Sequence, residues 1–322
     1  MILRSLTAAA ALLASAPANL VPRDAPYLTA DGRVRVVGYN DMDQMLPALG
    51  ERFSRDHPGV RFDFVLKGTR TAPAALTNGT SAFAPMGAEF EPADLAAWRR
   101  VHSGEPLAVP IAHDSLHPSA LSSPTGILVH ASNPMRRMTM ASLRRVVAPL
   151  AGERPAMLWR DLGVHGALAD KPIRIVGLAA DTAIGALTLR RIGAADYRAG
   201  FEAKRQSRDV AAVVAVDPTA IGIANLNHVT AGLRALAIAG KDGRFVPGDE
   251  RGIRSGHYPL DRTLLIYVRR DGNGRVEPLA RAFLDLALSP AGQAIIASGS
   301  RKYLPLSHQE IAAARVAAGL PE

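Results

Sequence analysis

From residue 33 onward, short apolar strand-like runs alternate with helix-like stretches, and that alternation restricts the chain to sheets covered by helices. Val34 to Val37 is β-rich, Gly38 marks a turn, and a helical pattern runs from Asp41 to Asp56. His57, Pro58 and Gly59 stop that helix, and a second strand is expected from Val60 to Leu66. The three segments predict a β-α-β unit. A short helix from Pro73 to Thr77, an Asn78-Gly79 turn, an apolar segment from Ala82 to Met86, a helix from Pro92 to Val101 and a strand from Leu107 to Ile111 follow.

A second set begins after Pro118 and Pro124. It comprises a strand from Ile127 to His130, a helix from Ser142 to Val147, a strand from Ile173 to Val176, and helices from Thr182 to Ile192 and Asp209 to Val216. A strand from Leu264 to Val268 and helices from Glu277 to Leu288 and Ala291 to Ala297 close the pattern. Two similar halves imply an α/β chain of two lobes, each a mixed, mostly parallel sheet flanked by helices. With 322 residues the chain is long enough for both.

The first residues have the order of a secretory signal peptide: Arg4, an apolar run from Leu6 to Leu13, then small residues to Ala18. Residues 1–18 are therefore expected to be removed on export to the periplasm. No later run is long and uncharged enough to span a membrane. The absence of cysteine excludes disulfides, thiolate metal sites and a lipid-bearing cysteine. A formal net charge of +9 suits an anionic partner. Scattered basic residues and only 5% aromatics argue against nucleic acid.

The chain has no Gly-x-Ser-x-Gly elbow, no His-Glu-x-x-His and no P-loop, and no cofactor is implied. His113, Asp114 and His117 form the one dense His/Asp cluster, which keeps a hydrolase open as an alternative. Two histidines four apart converge only on a helix, and Pro118 disfavours one.

Several segments, taken in order, resemble the PstS-like phosphate receptors of ABC transporters, which have the type 2 periplasmic-binding fold. These are Gly38-Tyr39-Asn40-Asp41-Met42, the run Phe53 to Val60, and Gly68-Thr69-Arg70-Thr71 followed by Ala74-Ala75-Leu76. Asn133-Pro134, Met138 to Val147, Trp159 to Gly163 and Ala220 to Ile223 continue the series. Tyr258-Pro259-Leu260, Phe283-Leu284, Ser289-Pro290, Gly292-Gln293 and Leu304-Pro305 complete it.

The resemblance implies lobe one at 33–111 plus 256–322, lobe two at 112–255, and a ligand cleft between them. It implies a monomer that binds a phosphate-like oxyanion, docks on an inner-membrane ABC permease and catalyses nothing. Carried over residue by residue, the ligand contacts would be Asn40, Asp41, Met42, Thr69, Arg70, Thr71, Gly87, Asp181 and Thr182. Helix N-termini and turn amides at Asn40 to Met42, Thr69 to Ala72, Met86 to Glu89 and Ala180 to Thr182 suit an anion.

The chain departs from the family pattern where an acid, a hydroxyl and two arginines are expected: Ala82, Gly87, Ala88 and Val176 stand there. Arg70 and Arg174 are the candidates to compensate. A carboxylate at Asp41 or Asp181 would repel a dianion. A binding-incompetent relative serving as a partner or sensor domain is the second alternative.

Overall fold

The chain builds one lobe, leaves it, and returns to finish it. β1 (Val34–Val37) pairs in parallel with β2 (Phe62–Val65), and α1 (Met45–Asp56) crosses between them. Leu46, Leu49 and Phe53 recur on one side of α1 and are buried, the spacing that seats a helix on a sheet. α2 (Ala72–Thr77), β3 (Ala84–Met86), α3 (Pro92–Arg99) and β4 (Leu107–His113) follow. Ala82 N–H donates to the Arg35 carbonyl at 3.0 Å and Tyr39 N–H to the Pro85 carbonyl at 2.9 Å, so the β3 segment lies beside β1.

The second lobe holds β5 (Thr125–His130), β6 (Arg137–Thr139), α4 (Met140–Val147), β7 (Arg174–Leu178) and α5 (Ala183–Ile192). β8 (Phe201–Lys204), α6 (Ser207–Val216), β9 (Ala220–Asn225), β10 (Leu233–Ala235), β11 (Ala237–Ala239), β12 (Phe245–Val246) and α7 (Glu250–Arg254) complete it. Its main sheet has the spatial order β10-β5-β9-β7-β8. The β8, β7 and β9 pairs are parallel, joined through α5 and α6, while β5 and β10 run antiparallel.

That sheet is covered on both faces, as its apolar strands require. Ile175 packs with Leu143 and Trp159 on one side, and its neighbour Val176 packs with Val210 and Val214 on the other.

β13 (Thr263–Val268) brings the chain back, antiparallel between β3 and β4. Ile266 joins Phe53, Phe83 and Phe283 in one core, whereas Leu265 and Tyr267 meet Leu76 and Trp98 on the opposite face. α8 (Pro278–Ala287), α9 (Pro290–Ser298) and α10 (His308–Ala317) cover lobe one. Ser289 caps α9 by accepting Gly292 N–H at 3.0 Å, and Ser307 with Glu310 forms a capping box on α10.

Two segments join the lobes, one leaving β4 and one returning to β13. They run side by side: Thr125 N–H donates to the Leu260 carbonyl at 3.1 Å, and the Tyr258 hydroxyl to the Thr125 carbonyl at 3.0 Å. This computed structural model describes residues 20–240 and 242–321. The expected signal peptide, residues 1–18, lies outside them. Among the described residues no single helix is long and apolar enough to cross a membrane.

Candidate functional site

In a sheet of this kind the ligand-accessible turns lie beyond the carboxyl ends of the strands. β1 runs into a 3-10 turn at Asn40–Met42, β2 into another at Thr69–Thr71, and β7 into the loop that starts α5. Gly68 opens the second turn with φ of 121°, a conformation that a side chain would strain.

The turns bond some of their amides and leave others free. Met42 N–H donates to the Tyr39 carbonyl at 3.3 Å and Thr71 N–H to the Gly68 carbonyl at 3.1 Å. The amides of Asn40, Asp41, Thr69 and Arg70 have no acceptor among the described residues. In lobe two, Thr182 N–H donates to the Ala179 carbonyl at 2.9 Å, while the amides of Ala183 and Ile184 likewise have no acceptor among the described residues.

One residue of each set acts electrostatically on the other. Asp181 is held below the usual carboxylate range first by its hydrogen bond to Arg205, and Arg70 of the other lobe adds to the effect.

A family model described as a PBP superfamily domain matches residues 25–291. Over 301 residues the chain is 30% identical to a phosphate-binding protein PstS of Pseudomonas aeruginosa, covering 91% of this chain and 90% of that protein. The chain belongs to the PstS-like family of the PBP superfamily. Among solved structures, PstS from Borrelia burgdorferi superposes with a TM-score of 0.61 at 16% identity, over 85% of this chain and 99% of that one. An ABC-type phosphate transport receptor from Vibrio cholerae gives 0.57 at 14% identity, over 84% and 98%. These superpositions establish the two-lobed fold.

Within this fold the expected contact residues separate by what their atoms already do. Thr69 Oγ1 accepts Gly87 N–H at 3.3 Å, and its own proton is uncommitted. The Thr71 hydroxyl donates to the Gly68 carbonyl at 2.8 Å. Thr182 Oγ1 donates to the Ala179 carbonyl at 2.7 Å and accepts Gly185 N–H at 3.1 Å, which makes it the N-cap of α5. Asn40 and Arg70 are exposed at the turns. Met42 must be withdrawn as a side-chain contact, because it is fully buried in the lobe-one core and its amide is bonded.

The two carboxylates expected to repel an anion are both paired. Asp181 accepts from Arg205 Nη1 at 2.6 and 2.8 Å. Asp41 is buried, faces Arg301 Nη1 at 2.9 Å and accepts Leu121 N–H at 3.3 Å. Burial pushes the Asp41 carboxyl up, against the pull of Arg301.

Arg174 does not compensate for the missing arginine. It sits at the opposite end of β7 from the ligand turn and is held by Glu202 at 2.7 Å and Asp217 at 3.2 Å. Val176 is core.

The hydrolase alternative also fails on geometry. His113 is fully buried, with Nδ1 2.6 Å from Asp261 and Nε2 3.2 Å from Glu310. Asp114 turns to Arg262 instead, and His117 is exposed beside Ser119. Three side chains aimed at separate partners do not converge. Among the described residues no group of three His, Asp or Glu could hold a metal ion.

One residue of the site was not anticipated. Arg262, next to the first residue of β13, donates from Nε to the Gly87 carbonyl at 2.6 Å and pairs through Nη1 with Asp114 at 3.1 Å. Its guanidinium lies 5.2 Å from the centre of the Tyr39 ring. A Cβ on Gly87 would stand 2.5 Å from Nη2 and 2.6 Å from that ring, so only glycine fits there. Burial pushes the Asp114 carboxyl up to about 6, with Arg262 opposing.

Proposed function

We propose that the protein is an exported receptor that closes its lobes around phosphate or a related small oxyanion and presents it to an ABC permease. It catalyses nothing and needs no cofactor. The reading is supported by one observation: unpartnered backbone amides on strand-to-helix turns of both lobes, with the nearby carboxylates already paired with arginines. Amides of this kind hold an oxyanion by hydrogen bonds and by the partial positive charge at a helix start.

The lobe-one contacts proposed are the amides of Asn40, Asp41, Thr69 and Arg70, with the Thr69 hydroxyl and the Arg70 side chain. Lobe two contributes the amides at Ala183 and Ile184, at the start of α5, beside Asp181 and Thr182. The lobes divide at 33–111 plus 256–322 and 112–255, so the paired joining segments are the hinge about which they close. The net charge of +9 speeds the encounter with an anion. The relative in Pseudomonas aeruginosa is by name a phosphate-binding protein, which favours phosphate as the first ligand to test.

Isothermal titration of the chain without residues 1–18 against phosphate, sulfate, a phosphonate and small carboxylates is the test. Saturable binding of an oxyanion at 1:1 is expected, with a monomer by light scattering before and after. If none of the panel binds, the receptor reading gives way to the binding-incompetent relative. Turnover of an ester panel would revive the enzyme.

A further inference from the structure

We propose that Arg262 is the guanidinium that grips the bound oxyanion, through Nη2. The inference deepens the receptor reading above and rests on it.

Arg262 is only 6% exposed, and a guanidinium is rarely buried unless its donors are used. Two of its three nitrogens are: Nε by the Gly87 carbonyl and Nη1 by Asp114. Nη2 donates to no carbonyl or carboxylate among the described residues; the one further oxygen near the guanidinium is the Tyr39 hydroxyl. Asp114 does not satisfy the fork in the bidentate way, because its other oxygen accepts Ser115 N–H at 2.8 Å. The Tyr39 ring lies against the guanidinium and holds its orientation.

Nη2 is close to the Thr69–Thr71 turn. It lies beside Gly87, whose amide meets Thr69 Oγ1 at 3.3 Å. Thr69, with its uncommitted proton, and Nη2 therefore both adjoin Gly87 in lobe one. This placement also accounts for the departure at 87 and 88. A guanidinium delivered from the β13 side already fills the space that a side chain on residue 87 would take, so Gly87 and Ala88 leave no gap in the charge of the site.

The role differs from that of a buried structural ion pair in what responds to ligand. With the unaltered chain labelled with 15N-arginine, the Arg262 guanidinium resonances are expected to shift on addition of inorganic phosphate. Arg262→Lys, which keeps the charge but loses the fork, should weaken phosphate binding by roughly tenfold or more. Arg262→Met should weaken it further. Wild-type binding with unmoved Arg262 resonances overturns the proposal and leaves the receptor reading intact, as does an Arg262→Lys affinity within twofold of wild type. Absence of phosphate binding by the wild-type chain overturns both. The resonance measurement decides even where a variant fails to fold.

Discussion

His113 Nδ1 lies 2.6 Å from Asp261 Oδ2, joining the last residue of β4 to the segment that re-enters lobe one. Glu310 Oε2, on α10, takes the other ring nitrogen at 3.2 Å. Burial pushes the His113 pKa down, but the hydrogen bonds the ring donates to the Asp261 and Glu310 carboxylates outweigh it and hold it at about 9. A folded-state pKa above the unfolded one stabilises the fold fully below about 6.5, and that contribution is lost as pH rises toward 9. Urea unfolding should therefore show stability falling between those values, by roughly 3 kcal/mol. His113→Gln should flatten the profile in that window; a wild-type chain with no decline there would contradict the pairing.

Thr69 and Thr182 align with similar turns and differ in what their hydroxyls do. Thr182 caps α5, so Thr182→Val should lower stability by about 1 kcal/mol. Thr69 has a proton to give to a ligand, so Thr69→Val should weaken phosphate binding roughly tenfold, the value of a hydrogen bond to a charged group, with little change in stability. Titration calorimetry and thermal melts on both variants separate the two. Equal losses of affinity would show that the cap reading of Thr182 is incomplete.

Much of this architecture was legible because local signals and packing agree. The start of α5 was readable from Thr182 and its end from Gly193 in the left-handed region; Pro278 and Pro290 sit at the first helical positions of α8 and α9. Short strands such as β10, β11 and β12 escaped because two or three residues carry no period, and they form only by pairing with β5, β6 and each other. α10 was missed because few of its residues are apolar and buried; its position comes from the Ser307 capping box and from Glu310 meeting His113.

At the site, the turns were readable and the side-chain partners were not. Arg262 and Gly87 are 175 positions apart, and nothing near either one announces the other. The same holds for Arg301, whose pairing with Asp41 cancels the repulsion that Asp41 would suggest alone. Arg174 shows the reverse error: correct strand, wrong end, since the two ends of a strand expose different neighbours.

The Asp181 and Arg205 side chains are 70% and 69% exposed, so their ion pair contributes little to stability. Its charges still act on an incoming anion. Asp181→Asn should tighten phosphate binding severalfold at low salt, and Arg205→Gln should weaken it by a similar factor. Both effects should shrink toward physiological ionic strength, where screening acts within about 8 Å. Melting temperatures should hold steady, a change below about 0.5 kcal/mol being usual for exposed positions. Unchanged affinities at low salt would place this pair away from the ligand.

Gly87→Ala tests the close approach at the centre of lobe one. A methyl group there would stand 2.5 Å from Arg262 Nη2 and 2.6 Å from the Tyr39 ring, closer than atoms tolerate. The Gly87 carbonyl is bonded to Arg262 Nε and its amide to Thr69, so the turn cannot move without breaking one of them. Relief must come from the guanidinium and the ring. The substitution should lower stability by about 1 to 3 kcal/mol, the range for overpacking a tight core. Phosphate affinity should fall with it, because Arg262 is pushed off the position it holds between Gly87 and Asp114. Adding Tyr39→Leu to Gly87→Ala should return part of the lost stability by opening room beside the methyl group. If Gly87→Ala alone matches the wild type in both melting temperature and phosphate affinity, the contact between Gly87 and Arg262 is looser than these distances require.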